Sequence, residues 1–127
     1  MLYLNNSKPC YLGKGSGGFF RGKDPNVDIA FLDKKWVDYT IVIYIGKAGG
    51  KDEKTTLRTR LKKYIEFGQG KNVSHHGGRY VWQLANAQDL VVCWKRLYDE
   101  EPRGVEKSLI AVFEGVYSKI PFANLRH

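Results

Sequence analysis

Cysteine is scarce in this chain: Cys10 and Cys93 are the only two in 127 residues. Two distant thiols are too few for a structural zinc site and lack the spacing of a disulfide framework. They fit a reduced compartment, so a cytoplasmic location is expected. Long apolar runs are missing as well. The longest, around Ile41–Ile45 and Leu90–Trp94, fall far below the roughly 20 residues that a membrane-spanning helix needs. No charged-then-apolar leader opens the chain, which argues against export and a membrane partner. Acidic side chains are outnumbered, 13 against 21 Lys and Arg, leaving a net charge of +8. A chain this basic expects an anionic partner, and interleaved aromatics put nucleic acid first.

What is present is organised around residues 39 to 64. Thr40-Ile41-Val42-Ile43-Tyr44-Ile45 is dense in β-branched and aromatic residues and stops at Gly46 and Gly49-Gly50, the pattern of a buried strand. Thr55 or Thr56 then caps a predicted helix with Leu57, Leu61, Tyr64 and Ile65 at helical spacing. Arg60, three residues after Leu57 and four before Tyr64, rides the edge of that stripe.

Elsewhere the reading is coarser. Gly13 to Gly18 lacks the spacing of a phosphate-binding loop and reads as a flexible lead-in to a short strand at Phe19-Phe20. Val27 to Val37 carries Ile29, Phe31, Leu32 and Trp36 and predicts a short helix. Further strands are expected at Tyr80–Leu84, which alternates, and at Asp89–Leu97, placing Trp82 and Trp94 in the core. Pro102, preceded by Asp99, Glu100 and Glu101, opens a last helix running to about Ser118. Its stripe is Leu109, Ile110, Phe113, Val116 and Tyr117, and stepping back three or four residues lands on Glu106. One domain, residues 1–127, accounts for the whole sequence.

Tyr44, Arg60 and Glu106 are thus polar intrusions on the inward edges of three separate elements. A carboxylate for a divalent cation, a guanidinium for phosphate and a phenol beside water are the parts that phosphodiester hydrolysis requires. Four strings carry this set in order: Tyr44-Ile45-Gly46-Lys47-Ala48, Leu57-Arg58-Thr59-Arg60-Leu61, Glu106-Lys107-Ser108-Leu109-Ile110 and Pro121-Phe122-Ala123-Asn124. Together they resemble the signature of the GIY-YIG nuclease superfamily over about residues 17–126.

The resemblance implies an α/β (α+β) fold, a small central antiparallel β-sheet flanked by helices, and a metal-dependent endonuclease acting on double-stranded DNA. It makes Tyr44 the motif tyrosine, Gly46 the turn glycine and Arg60 the phosphate contact. Tyr64 stands close to the substrate, Glu106 ligates Mg²⁺ or Mn²⁺, and Asn124 supports the site. The sequence departs at Gly18-Phe19-Phe20, where Phe20 replaces an expected tyrosine. Either Tyr44 with Lys47 does the proton work, or Tyr11 serves, or the domain binds nucleic acid with little or no catalysis. Lys47, Arg58, Lys62 and Lys63 are candidates for a backbone-binding face. Of the pair His75-His76, a glycine-rich solvated loop is the plainer role, and His76 is the better substrate contact.

Overall fold

The computed structural model describes residues 1–5, 7–51 and 53–126. Three α-helices form where the pattern predicts them: α1 at Ile29–Lys35, α2 at Leu57–Gly68 and α3 at Pro102–Tyr117. Thr56 caps α2, its hydroxyl accepting from the Thr59 nitrogen at 3.1 Å, which satisfies one of the helix's orphan donors. Pro102 occupies the first turn of α3, where its missing N–H costs nothing.

The expected sheet is absent. Among the described residues there is no β-strand, only isolated antiparallel bridges, so the fold is helical. Residues 1–3 lie between the two hydrophobic runs: Leu2 bridges both Val42 and Val91. The Ile43 nitrogen donates to Met1 O and the Tyr3 nitrogen to Ile41 O. Beyond that pairing the 40–45 segment meets scattered partners in place of a strand: the Ala123 nitrogen donates to Ile43 O at 2.8 Å, the Met1 terminal ammonium to Tyr44 O at 2.7 Å, and Ile45 is taken by a side chain. Asn124 Oδ1 accepts from the Ile45 nitrogen at 3.0 Å, and its Nδ2 donates to Ile45 O at 2.8 Å. A buried backbone needs each group paired, and an amide does it here in place of a neighbouring strand.

Two further predicted strands are 3-10 helices instead, at Phe20–Gly22 and His76–Gln83, and a third 3-10 turn follows at Ala87–Asp89. Tyr80-Val81-Trp82-Gln83-Leu84 alternates only on paper. Tyr80, Val81, Gln83 and Leu84 are all buried, so the run faces inward on more than one side, and a short apolar run is compatible with either period. Gln83 shows how such a run tolerates a polar member. Its amide donates to Leu12 O and Val27 O and accepts from the Val27 nitrogen, each at 2.9 Å.

The core is aromatic. Trp36 meets Tyr3 and Phe122 edge-on, both at 5.2 Å between ring centres, and such pairs add about 0.5–1.5 kcal/mol each beyond the area they bury. In α2 the buried residues are Tyr64, Phe67 and Gly68, while Leu57 and Ile65 are exposed. The helix is rotated from the predicted stripe because Gly68 lies against the Trp82 indole, where any Cβ would overlap the ring. That rotation brings Arg60 fully onto the inward line of Tyr64 and Phe67, at spacings of four and seven residues. In α3, Ile110 and Phe113 are buried, whereas Leu109 and Val116, placed in the stripe by their spacing, are exposed. No described helix is long and apolar enough to cross a membrane.

Candidate active site

A small cleft opens between the N-terminal half of α2, the end of the 40–45 segment and the loop after α2. Tyr44, Lys47, Arg60, Tyr64, His75 and Cys93 are among its lining residues. Its centre is one hydrogen bond: Arg60 Nη2 donates to the Tyr44 hydroxyl at 3.2 Å. The phenol oxygen accepts, so the phenol's own proton remains available to a second acceptor. Gly46 makes this geometry possible by close approach. A Cβ there would lie 2.6 Å from Tyr44 Cε1 and 2.8 Å from its hydroxyl, so the ring folds back over a residue without a side chain. The sharp turn assigned to Gly46 belongs to Gly49 and Gly50, whose φ values are 76° and 139°.

Asn124 is buried and acts one residue away, clamping both backbone groups of Ile45. Lys47 reaches the rim, but its ammonium is engaged by Glu53 at 2.7 Å and by Gly49 O at 3.1 Å. That pair holds the Glu53 carboxyl below its ordinary range, chiefly through the Lys47 hydrogen bond. Tyr64 is buried, and burial pushes its phenol up.

Glu106 is half-buried on α3, four residues before Ile110 and seven before Phe113, hence on the inward face. It does not line the Tyr44–Arg60 cleft. The helix start is tied to the loop beside the cleft: Glu101 accepts from the Lys51 nitrogen at 3.3 Å. Among the described residues no group of three His, Cys, Asp or Glu side chains converges on one point.

Other predicted site residues fall elsewhere. Gly18 packs on Gly70 and Lys71, just past the C-terminus of α2, and Phe20 opens the 3-10 turn that follows, under the Arg21 guanidinium at 5.0 Å. Arg60 lies about 12 Å from the end of α2 along its axis at 1.5 Å per residue, so the two halves of the motif occupy opposite ends of one helix. Tyr11, the alternative phenol, packs on Phe122 at 6.1 Å, and burial pushes its hydroxyl up. Arg58 and Lys62 line a separate shallow groove with Leu57 and Ile65. Lys63 is exposed on the side of α2 from which its charge reaches His75.

The histidines exchange roles. His76 sits edge-on to Phe67 at 6.4 Å and stays out of the cleft. His75 is buried, 5.5 Å from the Tyr64 ring, and lines the cleft. Among the described residues its Nδ1 has no partner, and burial, with the Arg60 charge second, lowers its pKa to about 4. It is a neutral imidazole at pH 7. Nothing local separates His75 from His76 in the sequence. Gly78 decides it, because a Cβ there would lie 2.6 Å from the His75 ring. Comparison of the chain with family models, with curated proteins and with solved structures yields no match to any of them.

Proposed function

We propose that this protein is a metal-dependent endonuclease that hydrolyses DNA phosphodiester bonds with chemistry of the GIY-YIG type. The observation that carries the reading is the meeting of Tyr44 and Arg60, distant in sequence, in one cleft of a strongly basic chain. A guanidinium aimed into a cleft neutralises a phosphate and the charge that builds on it during attack. Arg60 holds the scissile phosphate, and Tyr44, its oxygen fixed by Arg60, directs its proton or a bound water to the reacting centre. Asn124 and Gly46 hold Tyr44 in that pose. Neutral His75 adds an uncharged wall beside the Arg60 guanidinium. Glu106 lies outside the Tyr44–Arg60 cleft; as the metal ligand that the resemblance implies, it would hold Mg²⁺ or Mn²⁺ from α3 through its carboxylate, and a bound ion would supply charge stabilisation to a phosphate reaching it from Arg60.

Supercoiled plasmid incubated with purified protein and Mg²⁺ tests this. Nicking is expected from the wild type and is expected to be abolished in Glu106→Ala, with folding and DNA binding retained. Robust nicking by that variant rejects the glutamate's role.

One observation favours a second reading, a DNA-binding module without hydrolysis: Phe20 and the first half of the motif lie at the opposite end of α2 from Tyr44. Retained plasmid binding with no nicking in either metal would select it.

A further inference from the structure

Residues 89–97, predicted as a core strand, run along the surface. Val92 and Cys93 line the cleft that contains Tyr44 and Arg60, and the chain then leaves it and presents Trp94, 68% exposed, and Tyr98, 81% exposed. Lys95 and Arg96 stand between them, both exposed. The Arg96 guanidinium lies 5.3 Å over the Tyr98 ring, an attraction that holds one face of the ring and leaves the other open.

Such exposure of two large aromatics adds little burial to the fold. We propose that residues 94–98 bind an unpaired stretch of nucleic acid next to the cleft, with Trp94 and Tyr98 stacking on its bases and Lys95 meeting its phosphates. Alternation of aromatic rings with cations is the arrangement that single strands need, because every base offers a π-face and every linkage a negative charge. A paired base inside a duplex is already stacked on both faces and has none to give. Asp99 and Glu100 follow at once, so the cationic part of the strip is confined to its cleft side and the strand is guided toward Arg60. The substrate class becomes DNA with an unpaired flank beside the bond that is cut. This inference rests on the nucleic-acid part of the reading above and not on hydrolysis.

The test is fluorescence anisotropy of labelled oligothymidylate and of a blunt duplex of equal length, with wild type, Trp94→Ala and Trp94→Phe. The wild type is expected to prefer the unpaired strand. Trp94→Ala should weaken that binding about tenfold, the usual scale for losing one stacked base, while Trp94→Phe keeps most of it and duplex binding is unchanged. Equal losses on both probes, or no loss on either, overturn the proposal. So does a wild type that sediments as a dimer which Trp94→Ala dissolves without changing strand binding, because the strip then seats a second copy. Plasmid nicking by the same preparations separates the two readings. Nicking without strand preference overturns only this inference, whereas strand preference without nicking supports it and overturns only hydrolysis.

Discussion

The two ends of α2 are built on opposite principles. At its N-terminal half, Arg60 points a charged group at Tyr44 across a cleft open to solvent, with Gly46 kept bare beneath the phenol. At its C-terminal end, Gly68 admits the Trp82 indole, Tyr64 stacks on the same indole at 4.8 Å, and Phe67 is fully buried. Both ends use a missing side chain to let a ring approach. At one end the ring's hydroxyl remains reachable from the cleft, and at the other the ring closes the core. The comparison separates residues whose change should damage reactivity from those whose change should damage stability.

Acid should strain the middle of the helix, where His75 lies against Tyr64. The folded pKa of His75 is lowered to about 4 from 6.5, so between those values the unfolded chain binds a proton that the folded chain refuses. Its contribution is complete above pH 6.5 and declines as pH falls toward 4, by up to roughly 3 kcal/mol. Denaturant midpoints measured across that window should fall with pH, and His75→Gln should flatten the slope. An unchanged slope in the variant would remove His75 as its source.

Gly68→Ala comes next. The indole has no room to withdraw between Gly68 and Tyr64, so overpacking should cost about 2 kcal/mol, read as a lower thermal midpoint. Catalysis by the fraction that remains folded should be nearly unchanged. An unshifted midpoint would mean that the two faces separate freely.

The smallest effect belongs to Gly46→Ala, and it should be of the other kind. The new methyl displaces the Tyr44 ring, which swings aside at little cost to folding. Nicking is expected to fall about tenfold, the order of a lost positioning contact, with the midpoint nearly unchanged. A large loss of stability with intact activity per folded molecule would reverse the comparison.

Much of this was legible in the sequence, for identifiable reasons. The helices at 57 and 102 carry their own caps in Thr56 and Pro102, and their positions follow from local chemistry. Tyr44 and Arg60 were readable as a pair because both interrupt apolar patterns on inward edges. The sheet was not, because a β-branched run states only that a segment is extended and buried. Whether it finds a strand or an asparagine side chain beside it depends on Asn124, far along the chain. The helix rotation that exposes Leu57 depends on Gly68 meeting Trp82, and the choice between His75 and His76 depends on room above Gly78. Trp94 read as core because hydrophobic runs are usually covered, and here the run lies at the surface with a single bridge at Val91.

The central claim is that Tyr44 and Arg60 act as one unit on the phosphate. A double-mutant cycle of Tyr44→Phe and Arg60→Lys, scored by Mg²⁺-dependent plasmid nicking, tests it most directly. Each single change should lower the rate by about a hundredfold or more, and the double variant should be no worse than the poorer single one, because residues that act together lose their shared function once. Losses that multiply in the double variant, or single variants that cut like the wild type, would contradict it.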